Sequence, residues 1–254
     1  MDQTTTKAAL VTGAGSGIGR TIALALGQAG YRILLVGRTQ NNLEATRDLL
    51  PPGAGLVHVA DVSDERACRA MVDAAFTRLG RLDVLVNNAG VGRVVPIAQS
   101  DGGVVAEAYR INTFPAAWAI HAAWDRLTAQ GGGCIVNISS MATIDPFPGF
   151  FAYAGSKAAL NLMAASAATE GKPHGIRAFA IAPGAVETPM LRAAFDTKAI
   201  PPEEALPPQA VAEVVLACVR GERDADNGRT IPVLAPGAKA WLAGWYREHP
   251  PLLD

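Results

Sequence analysis

The chain has 254 residues, of which 50% are hydrophobic and 18% are charged, and its 22 Lys and Arg residues nearly balance 23 Asp and Glu residues. This composition excludes a disordered, collagen-like or disulfide-rich chain. The near balance of acidic and basic residues leaves no excess of positive charge with which to bind nucleic acid or an anionic membrane. No apolar run approaches the roughly 18 residues of a membrane span. The three cysteines are far apart and have no histidine at ligand spacing, so we expect no metal site, a reduced cytoplasmic protein and one domain over residues 1–254.

Short apolar runs alternate along the chain with longer stretches of helical periodicity. Most of these runs are apolar at nearly every position, which is typical of strands that are covered by helices on both faces. The pattern predicts an α/β fold, a single-domain, doubly wound, Rossmann-type sheet of seven parallel strands with helices on both faces. The predicted strands are Ala8–Thr12, Ile33–Gly37, Leu56–Ala60, Val84–Asn87, Cys134–Ser139, Ala178–Ala182 and Thr230–Leu234. The last strand should lie at an edge, because Pro232 has no N–H to donate to a neighbour.

Polar residues and glycines predict where helices begin and end. Ser63 is predicted to cap the helix that follows the third strand, and Gly80 and Gly30 are predicted to follow helix C-termini. Prolines interrupt the stretch that precedes the last helical pattern. We therefore expect residues 188–208 to form a loop or lid over a site instead of a domain boundary.

The first predicted strand runs directly into a glycine-rich turn, Thr12–Arg20, that opens a helix. Glycines at this place allow a sharp turn, let the backbone approach a pyrophosphate and aim the helix N-terminus at the anion. Gly13, Gly17 and Gly19 are spaced for such a cradle, and Ile18 stands where the GxGxxG pattern has its third glycine. By itself the turn fits either a dinucleotide site or a plain tight connection.

Further motifs follow in the rest of the chain. They are Asn87-Asn88-Ala89-Gly90, Asn112, Ser140, Tyr153-x-x-x-Lys157 with Tyr153 thirteen residues after Ser140, and Pro183-Gly184 followed by Thr188. Together with the TGxxxGxG turn, these motifs resemble the short-chain dehydrogenase/reductase family over about residues 7–234. The resemblance implies a nicotinamide-dependent oxidoreductase that acts on a small carbonyl or alcohol substrate. It also implies a homodimer or homotetramer that assembles through the Tyr153 helix.

The end of the second strand indicates which cofactor is used. An acid there would bind the ribose 2′-hydroxyl of NAD, whereas an arginine accommodates the 2′-phosphate of NADP. The chain has Arg38 and no acid, so we predict that NADP(H) is preferred over NAD(H), with a solvated loop charge as the alternative role of Arg38. The resemblance implies cofactor contacts at Gly13, Ser16, Gly17, Ile18, Gly19, Asp61, Val62, Asn88, Ala89, Gly90, Tyr153, Lys157, Pro183, Gly184, Val186 and Thr188. Asp61 could equally serve as an acid at a helix N-terminus.

Tyr153 and Lys157 are four residues apart on a predicted helix, so their side chains share one face. Ketone reduction needs a proton donor at the developing alkoxide, and the reverse oxidation needs a base there. An ammonium about 5 Å away favours a phenolate by about 3 kcal/mol, which predicts a Tyr153 pKa of about 7–8. The resemblance implies that Tyr153 is the acid/base and that Lys157 also binds the nicotinamide ribose. It further implies that Ser140 holds the substrate oxygen and that Asn112 orders a water in a proton relay.

Three loops at the carboxyl ends of strands are predicted to form the substrate pocket, namely Val91–Pro96, Met141–Phe150 and Thr188–Pro208. Their apolar side chains favour a substrate with a sizeable hydrophobic part; these are Val94, Ile144, Phe147, Phe150, Met190, Leu191 and Phe195. Arg93 and Arg192 are better explained as solvated charges than as anchors for an anion. The sequence thus predicts NADPH-linked reduction of a ketone, or the reverse oxidation of a secondary alcohol. The alternatives are a non-catalytic NADP-sensing protein and an epimerase or dehydratase on the same scaffold.

The segment 235–254 departs from the family pattern because it carries Trp241, Trp245 and Tyr246. Aromatic residues of this kind could dock on the pocket, on another subunit or on their own domain. The sequence leaves these three roles open.

Overall fold

The structure, a computed structural model, describes residues 6–235. These residues form a seven-stranded sheet with the strand order β3-β2-β1-β4-β5-β6-β7, in which every neighbouring pair is parallel. Its elements are β1 (Ala8–Thr12), α1 (Gly17–Gln28), β2 (Arg32–Gly37), α2 (Gln40–Arg47), β3 (Gly55–Val59), α3 (Glu65–Leu79), β4 (Val84–Asn87), α4 (Gly102–Asn112), α5 (Phe114–Ala129), β5 (Gly133–Ile138), α6 (Phe151–Gly171), β6 (Ile176–Pro183), α7 (Pro189–Ala194), α8 (Pro208–Arg220) and β7 (Thr230–Val233).

The predicted fold is confirmed, and each predicted strand lies within two residues of an observed one. β7 lies at the edge, as Pro232 requires, and pairs only with β6. Buried residues alternate between two core layers. On one face Val11 packs with Ile22 of α1 and Val215 of α8, whereas on the other face Leu10 packs with Met71 of α3. The sheet is therefore covered on both sides, which explains why its strands read as continuous apolar runs.

One predicted helix cap is wrong. Asp64, not Ser63, caps α3, because its Oδ1 accepts a hydrogen bond from the Ala67 amide at 2.8 Å. The Ser63 amide instead donates to Oδ1 of Asp61 at 3.0 Å, in a turn that precedes the helix. A carboxylate is also favoured over a hydroxyl at this position by the positive end of the helix. Gly80 ends α3 with φ of 83°, as predicted.

The strand order creates a crevice beside β1. The chain leaves β1 for β2 on one side, and after β3 it crosses to β4 on the other side. Loops that follow β1 and β4 therefore diverge at their carboxyl ends, which is where open α/β sheets bind ligands.

Residues 188–208, which are predicted to form a loop or lid, belong to the connection between β6 and α8, and we call them the cover segment. The segment contains α7 and a short helical turn at Pro202–Glu204. Its two ends are tied together, because Leu206 donates to the Ala185 carbonyl at 2.8 Å and accepts from the Glu187 amide at 2.9 Å.

Within residues 6–235, no helix combines the length and the apolar character that crossing a bilayer demands. The predicted roles of Trp241, Trp245 and Tyr246 lie outside the described residues.

Candidate active site

The glycine-rich turn between β1 and α1 forms a tight cradle. Gly13 and Gly17 have φ of 67° and 51°, which side-chain-bearing residues rarely adopt. A Cβ on Gly19 would lie 2.3 Å from the Gly13 carbonyl oxygen, so only glycine fits there. Ser16 precedes α1 and makes no side-chain capping bond. The first amides of α1 thus point toward a space that suits the pyrophosphate of a dinucleotide.

Thr12, which sequence reasoning missed as a functional residue, joins the cradle to β4. Its buried hydroxyl donates to the Val86 carbonyl at 3.3 Å and accepts from the Asn88 and Ala89 amides at 2.9 and 3.0 Å. The Asn88 side chain donates in return to the Thr12 carbonyl at 2.8 Å. These bonds hold the two sides of the crevice at a set separation. The sequence signal for this role is that Thr12 directly precedes Gly13, the first glycine of the turn.

Arg20 and Thr46 also support the cradle, and neither was predicted. The Arg20 guanidinium donates to the Gly15 carbonyl and, at 3.0 Å, to the Thr46 hydroxyl. Thr46 is fully buried in α2, and its hydroxyl donates to the Ala14 carbonyl at 3.0 Å. The turn is thereby preorganised by α2, a contact between segments that no local sequence pattern reveals.

Arg38 lies at the far end of the same crevice. It is exposed, and its side chain makes no hydrogen bond or ion pair with any residue in the range 6–235. Asp61 lies across from it, and the Ser63 amide, followed by the charges of Arg38 and Arg110, lowers the Asp61 pKa. Within residues 6–235, Arg38 is thus a cation that makes no hydrogen bond or ion pair, and it stands at the end of β2, where the sequence predicted contact with a 2′-phosphate.

Ser140 and Tyr153 meet at the carboxyl end of β5. Ser140 follows β5, Tyr153 lies in the first turn of α6, and their side chains are hydrogen-bonded to each other. Burial raises the pKa of Tyr153, and the bond to Ser140 offsets this only in part.

This result corrects the expected Tyr153 pKa of about 7–8. The ammonium of Lys157 donates to the Ile138 carbonyl at 2.8 Å, and burial lowers the pKa of Lys157 itself to about 8. The earlier expectation included the ammonium charge but omitted the cost of removing both groups from water. Tyr153 is therefore a neutral phenol at neutral pH in this structure.

Asn112 is buried at the end of α4 and does not line the cavity in the described residues. Its amide donates to the Val91 carbonyl at 3.0 Å and to the Ser156 hydroxyl at 2.9 Å, and its oxygen accepts from the Val91 amide at 2.7 Å. A Cβ on Gly90 would lie 3.0 Å from this oxygen and 3.3 Å from the Lys157 ammonium. Asn112 therefore positions the loop after β4 against α6, close to Lys157.

All the predicted cofactor contacts share one cavity of about 630 Å³ with Ser140. These contacts are Gly13, Ser16, Gly17, Ile18, Gly19, Arg38, Asp61, Val62, Asn88, Ala89, Gly90, Tyr153, Lys157, Pro183, Gly184, Val186 and Thr188. The cavity extends from Arg38 through the glycine cradle to Tyr153. Its glycine floor and its length fit a dinucleotide whose nicotinamide end would lie beside Tyr153 and Lys157.

Aromatic rings close the cavity beyond Tyr153. The ring centroid of Phe150 lies 5.0 Å from that of Tyr153 and 6.0 Å from that of Phe195. Phe147 lies 5.9 Å from both Phe150 and Phe195. We call Phe147, Phe150 and Phe195 the aromatic wall. It joins the loop after β5 to the segment 188–208.

Some predicted substrate residues do not reach the cavity. Among the described residues, Val94 and Ile144 do not line the cavity as predicted, and Ile144 packs against the cluster of Met141 and Ala182 instead. Phe147, Phe150, Met190, Leu191 and Phe195 do line it.

The two arginines near the pocket are engaged in ion pairs. Arg192 pairs with Glu187 and donates to the Ile200 carbonyl at 2.8 Å, whereas Arg93 pairs with Glu107 at 2.7 Å. Arg192 therefore braces the cover segment, and neither arginine lines the described cavity.

Comparison with known proteins agrees with the architecture of this site. The family model described as short chain dehydrogenase matches residues 7–199. A 1,6-dihydroxycyclohexa-2,4-diene-1-carboxylate dehydrogenase of Pseudomonas putida is 37% identical over 185 residues, which cover 71% of this chain and 67% of that protein.

Two solved structures show how such a fold is used with different cofactors. A variant of actinorhodin polyketide ketoreductase with NADPH superimposes with a TM-score of 0.85 at 26% identity, covering 92% of this chain and 98% of that one. A 7α-hydroxysteroid dehydrogenase complexed with NADH and 7-oxo glycochenodeoxycholic acid gives a TM-score of 0.83 at 27% identity, covering 91% of this chain and 93% of that one.

Proposed function

We propose that this chain, which belongs to the short-chain dehydrogenase/reductase family, reduces a ketone with a sizeable hydrophobic part and uses NADPH as the hydride source. The observation that carries the proposal is that Ser140, Tyr153 and Lys157 line one cavity between the glycine cradle and the aromatic wall. An acid, a second hydrogen-bond donor and an apolar surface thus converge on one place, as a carbonyl substrate requires.

The protein's own residues handle the oxygen of the carbonyl group. A bound nicotinamide cofactor supplies the hydride that the carbonyl carbon accepts. Ser140 donates a hydrogen bond to the oxygen on which negative charge develops, and Tyr153 transfers its phenolic proton to that oxygen. The alcohol then leaves, and the Tyr153 phenolate regains a proton from solvent water. Lys157 stabilises that phenolate while its ammonium is charged.

The protonation state of Tyr153 favours the reductive direction. Burial raises its pKa, so the acid form predominates at neutral pH and the base form needed for alcohol oxidation is scarce. Oxidation should therefore require a higher pH than reduction does.

The preference for NADPH rests on Arg38. A 2′-phosphate carries negative charge, and Arg38 is a cation without a protein partner among residues 6–235 at the cofactor-facing end of β2. Structural relatives of the chain include both an NADPH and an NADH complex, so the fold alone does not select the cofactor.

We also propose a homodimer or homotetramer in the cytoplasm. Phe114, Phe151 and Leu162 on α5 and α6 are exposed by 45%, 55% and 72%, and apolar side chains of this size favour burial against a second copy. Sedimentation of the purified protein measures this assembly directly.

The direct test is a titration of the purified protein with NADPH and with NADH, followed by a screen of hydrophobic ketones with the tighter ligand. Tighter NADPH binding and loss of NADPH absorbance with a ketone support the proposal. Equal or tighter binding of NADH contradicts the role of Arg38. NADPH binding without turnover of any ketone would favour a non-catalytic sensor, and isomerised or dehydrated product without net oxidation would favour an epimerase or dehydratase.

A further inference from the structure

A carboxylate lies at the substrate end of the cavity, and the proposed hydride transfer gives it no role. Asp145 belongs to the loop between β5 and α6 and lines the cavity together with Phe147 and Phe150. Its side chain is exposed and makes no hydrogen bond or ion pair with any residue that the structure describes. A charge without a protein partner beside apolar rings is suited to bind part of a ligand.

The loop that carries Asp145 is held rigidly to Ser140. The Asp145 amide donates to the Met141 carbonyl at 2.9 Å. The Thr143 hydroxyl donates to the Ser140 carbonyl at 2.9 Å and accepts from the Asn161 amide at 3.2 Å. These hydrogen bonds tie the backbone of Asp145 to the turn that follows Ser140, so its carboxylate starts from a short tether to the hydroxyl that receives the substrate carbonyl.

The surroundings of Asp145 favour a cation. The faces of the aromatic wall attract positive charge through their quadrupoles, and an acid at the same surface adds a Coulombic attraction. The nearby arginines do not neutralise Asp145, because Arg192 and Arg93 pair with Glu187 and Glu107. Lys157 is buried behind Tyr153 and donates to the Ile138 carbonyl.

We propose that the substrate is an amino ketone, a hydrophobic ketone with a protonated amine that binds Asp145 and the aromatic wall. This assignment rests on the proposed ketone reduction and names the substrate class of the same site. The carbonyl lies at Ser140 and Tyr153, and the ammonium lies toward the cavity mouth. A carboxylate at the ammonium position is repelled by Asp145, and within residues 6–235 the arginines Arg93 and Arg192 already pair with Glu107 and Glu187.

Three ketones of nearly one shape test this assignment. They are β-dimethylaminopropiophenone, which is cationic, isohexanophenone, in which a CH group replaces the nitrogen, and β-benzoylpropionate, which is anionic. For the native protein we expect kcat/KM for the cation to exceed that for the neutral ketone by about ten-fold. The anion should be the poorest of the three substrates.

Asp145→Asn keeps the shape of the side chain and removes its charge, and it should lower kcat/KM for the cationic ketone to the value for isohexanophenone. Asp145→Lys should favour β-benzoylpropionate. Asp125→Asn is the matched control, because Asp125 is an exposed acid of α5 that does not line the cavity. Calorimetric titration of each protein with the cationic ketone, in the presence of NADP, reports binding independently of turnover.

The outcomes separate this inference from the function on which it rests. A preference that survives in Asp145→Asn, or equal rates for all three ketones, overturns the amino-ketone assignment and leaves ketone reduction standing. Binding of the cation that depends on Asp145 but leads to no reduction supports the ammonium site and refutes the reductase function. If the native protein neither binds nor reduces any of the three ketones, both the amino-ketone assignment and the ketone-reductase function are refuted.

Discussion

Replacing Thr12 with Val should separate the two sides of the cofactor crevice without changing the shape of the side chain. The Thr12 hydroxyl accepts from the amides of Asn88 and Ala89, both of which are only partly buried. An unsatisfied buried donor costs about 1–3 kcal/mol, and partial exposure places each amide near the lower value. We expect Thr12→Val to lower the free energy of unfolding by about 2–3 kcal/mol. Weaker NADPH binding should accompany this loss, because the cradle and the loop after β4 are no longer joined.

Thr12→Ser is the control, since it keeps the hydroxyl and loses one methyl group, at a cost of about 1 kcal/mol. Urea unfolding at one protein concentration, followed by tryptophan fluorescence, measures both variants against the native chain. A Thr12→Val protein as stable as Thr12→Ser would show that these two hydrogen bonds contribute nothing. The argument that Thr12 holds the crevice would then be wrong.

The other predictions concern charge and proton transfer. Tyr153→Phe should slow ketone reduction at least 100-fold while the affinity for NADPH changes little, because only the transferred proton is lost. A stopped assay measures the rate of reduction, and a fluorescence titration measures the affinity for NADPH. Retained turnover would contradict the role of Tyr153. Arg38→Asp should weaken the binding of NADPH by at least ten-fold and leave the binding of NADH nearly unchanged, since the new carboxylate repels only the 2′-phosphate. Equal losses of affinity for the two cofactors would exclude contact between Arg38 and the 2′-phosphate. Lys157→Met should stabilise the fold at pH 7 by about 3 kcal/mol, because burial lowers the folded-state pKa of Lys157 from 10.5 to about 8. The buried charged lysine destabilises the fold fully at pH values below its folded-state pKa, and this destabilisation vanishes as pH rises toward the pKa of the unfolded chain. The increase in unfolding free energy that urea unfolding measures for Lys157→Met should therefore disappear near about pH 10. An increase that does not depend on pH would contradict the lowered pKa.

Local patterns predicted the architecture well because they act over a few residues. Continuous apolar runs placed the strands, and Pro232 placed β7 at an edge, since a missing N–H is a property of the residue itself. Local reasoning failed at Ser63, where two adjacent residues could each cap α3. The outcome there depended on the turn that Asp61 makes before the helix.

The sequence by itself determined the fold and the glycine cradle, because these follow from periodicity and from the order of motifs along the chain, and its resemblance to a family implied the cofactor contacts that line the cavity. Only the tertiary structure decided what those residues experience. It buried Tyr153 and Lys157 together and so reversed the expected direction of the Tyr153 pKa. It also tied Arg192 to Glu187 and left Asp145 beside the aromatic wall. Burial, ion pairing and the availability of a charge depend on segments that are distant in the chain, and therefore no local pattern contains them.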